Sequence, residues 1–102
     1  MKKRFEIKAT CFDKKGKVIS VGYNSYSKTH PIQSHFARLA GLPEKTFLHA
    51  EVAALLKAKG KNIHKIKVER YDSEGNPANA TPCPVCMKAI KAWGVKNIEY
   101  TL

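Results

Sequence analysis

No apolar run in this 102-residue chain approaches the length of a membrane helix, which excludes a helical span. The opening MKKRFEIKAT is basic but lacks the apolar stretch of a signal peptide, and its alternation continues as a strand, so the expected compartment is the cytoplasm. Cysteine is scarce and odd in number: three thiols cannot all pair, and two of them form C-x-x-C, a spacing that suits a metal better than a structural disulfide. Acidic side chains are also few. Eight Asp and Glu stand against nineteen Lys and Arg, giving a formal charge of +11 and favouring anionic partners such as nucleic acid or nucleotide phosphates. The length allows one domain over residues 1–102 and no second core. Internal repeats, low-complexity segments and linkers are absent.

Phe5, Ile7, Ala9 and Cys11 alternate with Glu6, Lys8 and Thr10, and Asp13-Lys14-Lys15-Gly16 turns the chain into Lys17–Tyr23, so the pattern predicts a β-hairpin. Cys11, alone in a strand, reads as a small buried hydrophobe. A polar loop runs from Asn24 to Pro31, after which Ile32, Phe36, Leu39 and Ala40 recur at helical spacing up to Gly41. Leu48–Lys59 reads as a second helix ending at Gly60, and Ile63–Tyr71 as a third strand followed by a loop through Ser73-Glu74-Gly75-Asn76-Pro77. Pro82 is placed in the first turn of a helix that continues through Ile90 and Trp93 to Gly94, and Ile98, Tyr100 and Leu102 close the chain as a strand. Strand, strand, short helix, helix, strand, helix, strand predicts a mixed sheet covered by helices.

The segments HAEVAAL and PCPVC carry the chemistry. His49, Cys83 and Cys86 supply three zinc ligands, and a hydrolytic zinc site keeps its fourth position for water. Both motifs fall at helix starts, where unsatisfied backbone N–H groups favour negative charge. Glu51 need not bind the metal; it can take a proton from the water and pass it on. A structural zinc would want a fourth ligand, and His30, His35 and His64 belong to no second paired motif.

Taken together, the two segments resemble the H-x-E…P-C-x-x-C signature of the zinc-dependent cytidine and deoxycytidylate deaminase superfamily, especially its small stand-alone, phage-type members. The likeness extends to Gly22-Tyr23-Asn24 and to Gly94-Val95-Lys96-Asn97-Ile98-Glu99-Tyr100. It implies an α/β fold of three layers, α/β/α, with a mixed four-stranded sheet that lacks the usual fifth strand. It implies Zn2+ held by His49, Cys83 and Cys86, with Glu51 as proton shuttle for a hydroxide attacking C4 of cytosine or C6 of adenine. By the same resemblance the Ala50 N–H contacts the base carbonyl, the Thr81 carbonyl accepts from the departing amine and Asn24 holds the nucleoside. The strand left at the edge of the sheet could pair with another subunit, so a homo-oligomer is compatible with the chain.

Placing the lysines sharpens the substrate question. Lys14, Lys15 and Lys17 lie at the hairpin tip, about 20 Å from the metal at 3.3 Å per residue, and Lys57, Lys59 and Lys61 end the helix that His49 begins. Nearer the site, Lys28 and His30 are the first candidates for a phosphate clamp, because their loop follows Asn24 directly. Phe36 and Trp93 sit in apolar stripes and read as core. The expected function is therefore hydrolytic deamination of cytosine in a nucleoside or nucleotide such as deoxycytidylate. The alternatives are a deaminase acting on cytosine or adenine in single-stranded DNA or RNA, and a catalytically silent zinc-stabilised module that binds nucleic acid.

Overall fold

In a computed structural model the described residues are 6–24, 29–42, 48–58 and 61–101. They form, in chain order, β1 (Glu6–Phe12), β2 (Val18–Tyr23), α1 (Pro31–Leu39), α2 (Ala50–Lys57), β3 (Lys65–Tyr71), β4 (Pro77–Ala78), α3 (Pro84–Ala92) and β5 (Asn97–Tyr100). The hairpin is as expected, with β1 antiparallel to β2 from Lys8↔Tyr23 to Phe12↔Val18 and an irregularity between Cys11 and Phe12. Its turn has a clear local cause. The Asp13 carboxylate accepts from the Lys15 and Lys17 N–H groups at 2.9 Å each, and Gly16 takes the φ of 83° that other residues avoid.

β3 lies antiparallel along the whole of β1, from Glu6↔Tyr71 to Phe12↔Lys65. The other edge of β3 is divided. Its first half pairs in parallel with β5, Lys65↔Asn97 to Val68↔Tyr100, and its last two residues pair with β4, Arg70↔Ala78 and Tyr71↔Pro77. The sheet is thus mixed, as expected, and four strands wide, with β4 and β5 end to end in one position. Thr101 bridges them, donating from its N–H to the Val68 carbonyl at 3.1 Å and accepting from the Ala80 N–H at 2.8 Å. β4 corrects the expected loop. A second turn makes it, in which Asp72 accepts from the Glu74 and Asn76 N–H groups at 2.9 Å each and Gly75 takes a φ of 84°.

Period-two alternation sends Ala9, Cys11, Ile66 and Val68 to one face, all at most 1% exposed. α2 packs there. Ser20 Oγ donates to the Ala54 carbonyl at 2.7 Å, and a Cβ on Gly22 would collide with the Ala50 carbonyl and the Ala54 amide. α3 lies beside α2 through Val85, Cys86, Ala89 and Ile90, all fully buried, and α1 leans on α3 with the Phe36 and Trp93 rings 6.0 Å apart, Phe36 in the core as expected and Trp93 half-buried against it. All three described helices therefore stand on one side of the sheet. The described residues thus show the expected α/β fold, a mixed sheet four strands wide with helices packed on it.

Candidate metal centre

Both ligand-bearing helices begin on a ligand. His49 is the N-cap of α2, with its carbonyl accepting from the Ala53 N–H at 3.0 Å, and its imidazole is not spent on capping the helix. Cys83 is the N-cap of α3, with its carbonyl accepting from the Met87 N–H at 2.9 Å. Pro84 is the first helical residue, so the proline in the first turn is Pro84 rather than the expected Pro82. A proline there gives up only an N–H that would have no helical partner. Cys86 follows one turn into α3, on the same side as Cys83.

These helix starts bring the donors together. His49 Nδ1 lies 3.1 Å from Cys86 Sγ and 3.5 Å from Cys83 Sγ, and the three ligand atoms fall within 4.8 Å of one another. A zinc ion bound at about 2.0–2.3 Å in a tetrahedron needs donors about 3.5 Å apart, so one imidazole and two thiols at these spacings fit it with a fourth position to spare. The thiols respond to the crowding. Cys83 is pushed down to about 3, first by the hydrogen bond from the Cys86 thiol and further by His49, against the opposing effect of burial. Cys86, which keeps the proton, is raised well above the usual thiol range by that same bond and by burial. A metal taken up here must displace that proton. Glu51, 5% exposed in the first turn of α2, has its carboxyl raised by burial, with its own backbone N–H and Cys86 pulling the other way.

The zinc-binding region of cytidine and deoxycytidylate deaminases, as a protein family, matches residues 1–102. The chain belongs to that family. Its cofactor is Zn2+, for which His49, Cys83 and Cys86 are the only group of three such donors among the described residues. A solved structure, a glutamate-to-glutamine mutant of cytidine deaminase from Mycobacterium tuberculosis, is similar in fold, with a TM-score of 0.52 and 22% sequence identity over 95% of this chain. The family member described here spans 66% of that protein's length. No curated protein matches its sequence. None of its described helices is long and apolar enough to cross a membrane.

The deaminase-family frame locates the other expected site residues. Asn24 directly follows β2 at the helix-start end of the sheet, where its N–H donates to the Ile7 carbonyl at 3.2 Å and its Oδ1 accepts from the Ile7 N–H at 3.0 Å. Its side chain thus extends the hairpin ladder by one rung. Ala50 is fully buried against Gly22, and Thr81 is exposed two residues before Cys83, its N–H donating to Asn79 Oδ1 at 2.9 Å. His30 is the N-cap of α1, its Nδ1 accepting from the Ile32 N–H at 3.1 Å. Lys28 lies outside the described residues.

Two residues that matter to the site were missed from the sequence. Gln33, on α1 and fully buried, accepts at Oε1 from the backbone N–H of His49 at 3.2 Å, so a side chain of the short helix α1 fixes the backbone of the metal-binding histidine. Nothing in the sequence marks it, because a glutamine in an amphipathic helix reads as solvent-facing. Gly22 lets β2 approach the start of α2 so closely that no side chain fits between them. Here a signal existed: glycine inside a strand pattern marks a close backbone approach.

Proposed function

We propose that this chain is a zinc-dependent deaminase that hydrolyses cytosine to uracil in a nucleoside or a nucleotide such as deoxycytidylate. The observation that carries the reading is a buried carboxylate, Glu51, two residues beyond His49 and beside a His-Cys-Cys group that offers three ligands, so that a tetrahedral zinc held there would keep its fourth position for water. Structural zinc has no use for such a carboxylate. Zinc, when bound, lowers the pKa of a coordinated water to about 7 and so makes a nucleophile available at neutral pH.

The remaining steps belong to the chain's own groups. Burial lifts the Glu51 carboxyl above its ordinary range, which suits a group that must both accept a proton and give it up. Glu51 takes a proton at its carboxylate, delivers it to the ring nitrogen of the base and then serves the departing amine. The Ala50 N–H, in the first turn of α2 and without a helical partner, donates to the base carbonyl. The Thr81 carbonyl accepts from the leaving amine, and Asn24 holds the sugar at the adjoining end of β2. For a 5′-phosphate, Lys28, four residues after Asn24 in the sequence, supplies charge, and His30 retains Nε2 for contact because Nδ1 caps α1.

The test is ammonia release and product identity across cytidine, deoxycytidine, deoxycytidylate, adenosine and single-stranded oligonucleotides, for the wild type and Glu51→Gln. The variant should keep its fold and about one zinc per chain while losing turnover by about 10²–10⁴-fold. Zinc-loaded wild type inert on every substrate would overturn deamination, and activity on oligonucleotides alone would overturn the free nucleotide.

A further inference from the structure

The face of the sheet turned away from the metal is chemically unlike the face beneath α2. It carries Lys8 and Phe12 from β1, Tyr23 from β2, and Lys65, Lys67 and Tyr71 from β3, and no described helix covers it. Tyr23 is 53% exposed. A sheet face meant to bury a second layer carries aliphatic residues at these positions. Lysines and aromatic rings at strand spacing suit a polyanion that also offers flat rings.

At one end this face deepens into a cleft of about 510 Å³ between the first turn and the starts of β3 and β5, lined by Lys14, Lys15, His64, Lys65 and Asn97 among others. The carboxylates nearby are engaged. Asp13 is bound to the N–H groups of its own turn, Glu99 pairs with Lys65 at 3.3 Å, and Glu69 accepts from the Tyr71 hydroxyl at 2.6 Å. Lys65 also stands over the Phe12 ring, 4.9 Å from its centroid. Lys14, Lys15 and Lys67 are exposed, and the Lys65–Glu99 pair is the one salt bridge on this face among the described residues. From this cleft to Tyr23 and Tyr71 at the other end of the strands is about 20 Å at 3.3 Å per residue, enough for several nucleotides of an extended strand.

We propose that single-stranded nucleic acid binds along this open face, with phosphates neutralised by Lys14, Lys15, Lys65 and Lys67 and bases stacked on Tyr23 and Tyr71. Phosphate neutralisation supplies affinity, and ring stacking selects unpaired bases over duplex. The face lies on the opposite side of the sheet from Glu51 and the metal ligands, so binding there is independent of deamination. A strand held on it need not be the substrate.

The probe is a labelled oligothymidylate of about 20 nucleotides, which contains no cytosine, followed by fluorescence anisotropy with the zinc-loaded protein between 50 and 200 mM salt. Four phosphate contacts should give a slope of log Kd against log salt of about 3. Lys14→Glu with Lys15→Glu should weaken binding at least about tenfold and flatten that slope. Tyr23→Ala should weaken it at least about fivefold with the slope unchanged. All these variants should keep zinc content and turnover. Lys88→Glu with Lys91→Glu, on the exposed side of α3, is the control and should leave affinity within about twofold. An equal loss in that control would reduce the effect to diffuse charge and overturn the assignment. Duplex binding as tight as single strand, or no response to Tyr23→Ala, would overturn the stacking surface. A dimer in sedimentation that Lys67→Glu dissociates would make the face a contact between two copies instead.

Discussion

Neighbouring residues along β1 enter two unlike surroundings. Ala9 and Cys11 are fully buried beneath α2, whereas Lys8 and Phe12 face a side of the sheet that no described helix covers. The same division runs through β2, where Ser20 and Gly22 meet α2 and Tyr23 meets solvent. Small residues on the first side bring the backbone of α2 against the sheet, and that approach places His49 and Glu51. Long charged and aromatic residues stand on the second side, which no described helix covers. A one-residue step in a strand therefore separates positions that set the geometry of the metal centre from positions free to meet a partner.

The sharpest test of this division is removal of a ligand. Cys86→Ala should reduce zinc from about one per chain to near zero and abolish turnover. Amide exchange should accelerate at the starts of α2 and α3, where the Ala53 and Met87 N–H groups bond to His49 and Cys83, while β1 amides paired within the sheet stay protected. Equal loosening of both would show that the metal holds the whole fold rather than one side of it. Next in size is Gly22→Val, which forces a side chain into the Ala50 and Ala54 backbone and should cost about 3 kcal/mol in denaturant unfolding. Val21→Thr, one residue away and facing the other side, should stay within about 0.5 kcal/mol. Similar losses for the pair would break the comparison.

Smaller again is Gln33→Met, which keeps the bulk of the side chain and removes the acceptor for the His49 N–H. It should cost about 1–2 kcal/mol of stability and weaken zinc, measured by chelator competition, by about tenfold. Loss of stability with zinc affinity unchanged would mean that Gln33 supports α1 and not the histidine.

His49, Glu51, Cys83 and Cys86 could be read from the sequence because each motif is local and opens a helix, so a few residues of spacing fix both geometry and chemistry. The hairpin, the three helices and β3 followed from periodicity for the same reason. What lay beyond reach depends on contacts between distant segments. Gln33 meets His49 from 16 residues away, and no local pattern separates a buried glutamine from an exposed one. β4 is two residues long and begins with proline, so it offers no alternation to detect. Helix layering depends on which side of the sheet each crossover takes. The number of helices alone does not decide it.

The smallest effect tests whether the two turns are interchangeable scaffolds. Asp13 and Asp72 make the same bonds to backbone N–H groups two and four residues on, yet the first stands among Lys14, Lys15 and Lys17 and the second beside Glu74. Asp13 is held below the ordinary carboxylate range, first by the Lys17 N–H and then, against the opposing effect of desolvation, by the Lys15 N–H and the two lysine charges. A depressed folded pKa contributes stability that is fully present above the unfolded value and lost as pH falls through the folded one. Asp13→Asn keeps an acceptor for the turn but removes the charge. Its Tm should therefore fall below that of the wild type by a small margin at pH 7, and the margin should close as the pH is lowered past about 4. A margin that persists in acid would assign the effect to hydrogen-bond geometry, and the lysines around the first turn would then be free of any duty to Asp13.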